Sequence, residues 1–287
     1  MKNHLLTVTM IATFCLAAQR SSAASEKEFA KALNVAGRQR MLSQKMGAEF
    51  LMVKLGISTV ENKNKLDADI AAFAKALNGL ITGDTEAGIP APPNEQIARQ
   101  LGQVKLLWAN YLRALESGGK SSVGDIALFG DPLLRESDKT VQMYEYAAAE
   151  AGFKKTGTVI NVAGRQRMLS QKMTKEICLI ALDADKGDSL SKLKEARQLF
   201  DSSHNALLKG SAEMGIPATT SPEIKKQLAE VDALWKRFDT LVSEVLTDGS
   251  ANVTKVTAIA ALSQDLLKAT DKAVTLYGEV DKSAKKS

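Results

Sequence analysis

Apolar residues recur along this chain three and four apart, in stretches long enough for sustained helices. At about 100° per residue, Val35, Leu42, Met46, Phe50 and Val53 fall on one stripe of a helix predicted over roughly 26–55 and ending at Gly56. A second helix is predicted over about 60–80. It stops at Gly83, a residue that caps helix C-termini well. Pro90, Pro92 and Pro93 then mark a loop, since proline breaks a helix interior. A third helix, about 94–116, is closed by Gly118-Gly119. A fourth ends near Glu150, with Gly152 and Gly157 placed to interrupt it before the next. The same order returns near 157–186, 189–212, 221–247 and 252–284, with Val162, Leu169, Met173, Ile177 and Ile180 on the apolar stripe of the fifth helix. Ser221-Pro222 is a helix start signal, an N-cap followed by proline at the first helical position. Nothing reads as a strand. The pattern predicts an all-α chain of two tandem antiparallel four-helix bundles joined end to end.

The two halves are related by more than pattern. Residues 34–46 and 161–173 both read NVAGRQRMLSQKM, without a substitution. The offset of 127 persists outside this segment, pairing Phe73 with Phe200, Gly88-Ile89-Pro90 with Gly215-Ile216-Pro217, and Trp108 with Trp235. Towards the end it becomes 133, pairing Asp138-Lys139 and Tyr144 with Asp271-Lys272 and Tyr277, so about six extra residues are expected between the last two helices. This is a tandem duplication. Elsewhere the copies have diverged. Because cores tolerate volume-conserving swaps, an identical stretch within a divergent pair points to chemistry.

The N-terminus changes the picture of where the chain works. Lys2 and His4 precede an apolar run from Leu5 to Ala18, and Ser22-Ala23-Ala24 offers small residues for cleavage, the make-up of a secretory signal. The expected division is a leader over 1–24, a first repeat over 25–151 and a second over 152–287. The expected location is the periplasm, where disulfides are permitted. Without Cys15 only Cys178 remains, so no intrachain bridge is available and a buried, inert thiol is expected. The formal charge of +5 falls by two when Lys2 and Arg20 leave. Acids and bases are interspersed, and no basic block suggests nucleic acid.

Little supports catalysis. His204 is the one histidine beyond the leader, and no metal-ligand spacing, nucleophile triad or phosphate loop is present, so no enzyme, metal or cofactor is expected. His204, after Ser202-Ser203, is expected to be exposed, and Trp108 and Trp235 to anchor the core. In the repeated segment a second helix face carries Ala36, Arg40, Ser43 and Gly47, matched by Ala163, Arg167, Ser170 and Thr174. Gly37 and Gln44 border it, with Gly164 and Gln171 in the other copy. Arg38 and Lys45 point to the opposite flank and are expected at the surface. If the two helices face one another, Arg40 and Arg167 converge. Arginine does not escape by deprotonating. An oxyanion taking bidentate hydrogen bonds would relieve the pair. The competing reading pairs them with the protein's own carboxylates. Glu49 and Glu176 are on the wrong side for this, while Asp67, Asp138 and Asp265 could reach from other helices.

NVAGRQRMLSQKM resembles the signature of the PilJ-type, or NarX-like, sensory domain of bacterial chemoreceptors and nitrate/nitrite sensor kinases. The resemblance implies a four-helix bundle that pairs with a second copy, and in nitrate-sensing members one anion held between the paired first helices. It maps the anion-contacting arginine onto Arg40 and Arg167 and a backbone-contacting glycine onto Gly37 and Gly164. Ser43 and Ser170, with Gln44 and Gln171, are supporting positions. Members of that family usually carry transmembrane helices and an output module, neither of which is read here, and this chain holds two copies. The function expected is binding of a small oxyanion, nitrate or nitrite, in an internal pseudo-dimer, a homodimer being the other arrangement, with a membrane chemoreceptor or sensor kinase as partner. The alternative is a helical interaction module that docks a receptor or pilus-associated partner and binds no small molecule.

Overall fold

The computed structural model describes residues 24–117 and 122–284. Residues 1–23, where the leader is expected and which include Cys15, and the expected Gly118-Gly119 closure lie outside the described residues. Eight helices are present among them: α1 Glu26–Lys54, α2 Thr59–Thr82, α3 Glu95–Ser117, α4 Ser122–Glu150, α5 Lys154–Ala181, α6 Lys186–Lys209, α7 Pro222–Asp248 and α8 Val253–Ala284. None is long and apolar enough to cross a membrane.

Local chemistry sets the helix ends. Ser25 caps α1 in a reciprocal box with Glu28, each side chain bonding the other residue's backbone N–H. Ser221 caps α7 through the Ile224 N–H, with Pro222 at the first position. Gly83 and Gly210 close α2 and α6 at φ 79° and 81°. A Cβ at Gly210 would lie 2.8 Å from the Ala218 backbone nitrogen, so both conformation and space demand glycine there. The six extra residues of the second copy lengthen helices instead of their connection. α7 has 27 residues against 23 in α3, and Asp271 lies two residues further into α8 than Asp138 into α4. Gly157 does not interrupt a helix but lies inside α5.

Within each set of four, the first helix packs on the second and fourth, and the third on the fourth. Trp108 packs on Phe73 and Trp235 on Phe200, with ring centroids 4.3 and 4.0 Å apart, anchoring equivalent core positions. The joint between the bundles is lateral, not end to end. α1 and α5 form the most extensive helix pair in the molecule. Gly152, at φ 91°, turns the chain so that α5 returns beside α1. The two run parallel and in register, since Thr156 Oγ1 donates to Glu26 Oε1 at 2.7 Å near their starts and Phe29 meets Phe153 there. Enclosed by neighbours on several sides, both helices bury far more than the one predicted stripe. Gln39, Arg40, Gln44, Gln166, Arg167 and Gln171 are all buried, whereas Val35 and Val53 are only half-buried.

His204 corrects the expectation of exposure. It is 2 % exposed, because α6 is held between α5 and α7, and neither ring nitrogen has a hydrogen-bond partner. Burial lowers its pKa from the ordinary value, opposed by Asp232, whose Oδ1 is 3.7 Å away. The folded state therefore binds fewer protons than the unfolded one. Stability present above about pH 6.5 is lost as pH falls towards the depressed folded value. His204→Leu, matching Leu77 of the first copy, is expected to flatten the melting temperature between about pH 7 and pH 5, compared with wild type. An equally steep acid limb in the variant would refute this.

Cys178 is fully buried, and burial pushes its thiol up to about 12, in keeping with an inert core residue.

Candidate functional site

Arg40 and Arg167 sit at the same height on α1 and α5, and both are buried to the last few per cent, 0 % and 1 % exposed. Small residues bring their helices close. A Cβ built on Gly37 would lie 3.4 Å from Arg167 Nη2 and 3.5 Å from Arg40 Nη2; one on Gly164 would lie 3.3 and 3.6 Å from the same atoms. The two guanidinium groups thus converge between the two glycines, with their Nη2 atoms within about 7 Å of each other. This convergence occurs inside one chain.

The carboxylate pairing weighed in the sequence is also present. Arg40 Nη1 donates to Asp138 Oδ1 at 2.5 Å, and Arg167 Nη1 donates to Asp271 Oδ1 at 2.6 Å. The acids come from α4 and α8 and are 28 % and 41 % exposed. Asp67 and Asp265 do not take part, pairing instead with Lys63 and Lys268 on their own helices. Asp271 is absent from the carboxylates expected to reach the arginines, and its match to Asp138 in the repeat register is the sequence signal for it. Arg40 Nη2 reaches the Asn161 carbonyl oxygen at 3.3 Å, across the helix interface.

One carboxylate each leaves the arginines incompletely satisfied. Arg167 Nη2, Arg167 Nε and Arg40 Nε are buried without a hydrogen-bond partner. Burial lowers the pKa of both groups from the arginine value, with Asp138 and Asp271 opposing the shift. The Arg40 charge is further disfavoured by Arg165 and Arg167, and the Arg167 charge by Arg38. Arg38 is exposed, as the pattern predicted, but its field reaches the opposite arginine. Buried cationic donors left unpaired are costly, and a planar acceptor between them would satisfy these groups.

Of the supporting positions, the serines bond the backbone and the glutamines bond serine hydroxyls. Ser43 and Ser170 donate to the carbonyl oxygens of Arg40 and Arg167 at 2.8 and 2.9 Å. Gln44 donates to Ser43 Oγ at 3.1 Å, and Gln171 to Ser263 Oγ at 2.9 Å. Glu49 and Glu176 stay away from the arginines, as expected. They face Lys45 and Lys175 at 3.0 and 3.1 Å in a separate ionic layer, in which Lys175 also reaches Asp131 of α4 at 2.9 Å. Burial, with Asp69 alongside, pushes Glu49 up to about 8. Lys45 is half-buried, not at the surface, because it is drawn between Glu49 and Asp69.

The family model described as the type IV pili methyl-accepting chemotaxis transducer N-terminal domain, PilJ, matches residues 22–124 and again 152–261. The chain belongs to the PilJ family. Each match takes in one copy of the repeated segment, and so one arginine of the converging pair. A methyl-accepting chemotaxis protein of Pseudomonas aeruginosa, McpN, is 36 % identical over 84 residues. That stretch covers 29 % of this chain and 15 % of McpN, so the likeness is confined to a small part of the relative. Both matched segments lie in one polypeptide, and α1 of the first packs along α5 of the second.

Proposed function

We propose that this chain is a periplasmic sensory module that binds one small oxyanion, nitrate or nitrite, between α1 and α5. The observation that carries the reading is the buried convergence of Arg40 and Arg167, with N–H groups left unpartnered, at two glycines that keep the space open. In this reading the arginines donate to the anion, Gly37 and Gly164 let it approach the helix backbones, and Ser43, Ser170, Gln44 and Gln171 hold the local helix geometry. The organisation proposed is a cleaved leader over 1–24 and two PilJ-like repeats over 25–151 and 152–287. The repeats form an internal pseudo-dimer with one site per chain. A signal would then pass by contact with a membrane chemoreceptor or sensor kinase.

Titration calorimetry of the purified protein with sodium nitrate and sodium nitrite tests the reading. Saturable heat at one anion per chain is expected. Absence of both heat and thermal shift at millimolar anion would reject it and leave the helical interaction module in its place.

A further inference from the structure

The two arginines do not stand alone. Each holds a carboxylate through Nη1 and turns Nη2 towards the glycines, so the inner shell of the site is two cations and two anions. We propose that Asp138 and Asp271 set the charge selectivity of the α1–α5 site, restricting it to singly charged oxyanions and excluding dianions such as sulfate. This rests on the anion reading above.

The electrostatics are those of a site already half neutralised. A ligand near the Nη2 atoms feels the attraction of Arg40 and Arg167 and, one hydrogen bond further out, the repulsion of Asp138 and Asp271. Coulomb energy scales with ligand charge, so each aspartate weighs twice as heavily on a dianion as on a monoanion. Desolvation acts in the same direction, since a doubly charged ion gives up far more hydration on entering a buried cleft. The remaining charges do not reverse this. Arg38 and Arg165 add positive charge that reaches the central pair, but both are less buried than Arg40 and Arg167 and so more open to solvent screening. Glu145 accepts from Asn161 Nδ2 at 2.5 Å and adds further negative charge on the α4 side. Asp138 is held in place from its own helix as well, since its second oxygen accepts from Gln142 Nε2 at 2.7 Å.

Asp138→Asn and Asp271→Asn remove the charge while keeping an oxygen that can accept from Nη1. Calorimetry with sodium nitrate and sodium sulfate at matched ionic strength should find nitrate but not sulfate binding to wild type. In either variant nitrate should tighten by roughly tenfold and sulfate by roughly a hundredfold, bringing sulfate into the measurable range. A role confined to positioning the arginines would weaken both anions alike, and that result, or an unchanged nitrate-to-sulfate ratio, overturns the proposal. So does sulfate binding to wild type as tightly as nitrate. If one variant fails to melt cooperatively, the other decides. Wild type that binds nitrate, with variants that keep its selectivity, removes this inference alone; wild type that binds neither anion removes the site as well.

Discussion

Arg167→Ala is expected to abolish anion-dependent heat while leaving the melting temperature within a few degrees of wild type. Two physical effects separate binding from stability here. The variant strands Asp271, but that carboxylate is 41 % exposed and rehydrates. It also removes a buried cation beside Arg40. At an effective dielectric near 20, two charges about 7 Å apart repel by about 2 kcal/mol, which offsets much of the lost packing. An arginine present only to complete a buried ion pair behaves differently, since deleting one partner of such a pair costs about 3–5 kcal/mol. In a chain of this size that would lower the melting temperature by roughly 10 °C. Thermal unfolding of Arg167→Ala, with and without nitrate, therefore reads both properties. A large fall in the ligand-free melting temperature, or retained nitrate binding, would show that the guanidinium has been misassigned.

The second large effect concerns the residues just past the repeated segment. Gly47→Thr is expected to destabilise the fold by about 3 kcal/mol, and a companion Tyr111→Phe change to restore a substantial part of it. A Cβ at Gly47 would lie 2.6 Å from Tyr111 Oη and 3.2 Å from both Ile126 and Lys175. Tyr111 has no room to retreat, being fully buried and donating to the Ser43 carbonyl at 2.9 Å. The second copy shows how the clash is avoided. There Thr174 occupies the equivalent place, its hydroxyl donating to Ser263, and the aromatic opposite is Phe238, which has no hydroxyl. Lys175, whose stem fills the space beside Gly47, corresponds to Ala48 in the first copy. The three differences form one packing solution. Chemical denaturation of both single variants and the double variant measures the coupling, and strict additivity would refute the account.

These residues show what could be read along the chain. The eight helices and most of their ends were legible because caps, glycines and apolar periodicity act within a few residues of one another; α5, expected over 157–186, instead runs Lys154–Ala181 with Gly157 inside it. The repeated Gly-x-x-Arg was legible because identity within a divergent duplication stands out. Asp138 and Asp271 were half legible: their repeat match was visible, but a carboxylate far along the chain from its arginine has no local mark. His204 was misread as exposed because its helix carries polar neighbours on both sides of it. Its burial depends on α5 and α7 closing over α6, which no local pattern encodes. The lateral joint was legible only through the resemblance, which implies paired first helices; stripe counting finds one buried face, whereas α1 and α5 are covered by several neighbours.

By itself the sequence determined an all-α chain of two like units, and the repeated arginine-bearing segment that each carries. Both follow from short-range rules of helix periodicity, capping and residue chemistry. The tertiary structure alone decided that α1 and α5 lie parallel in register, that each arginine meets one aspartate, and that certain guanidinium N–H groups remain without a partner. Those facts depend on distances between residues about a hundred positions apart. Close packing of whole helices sets such distances, and no local preference specifies them.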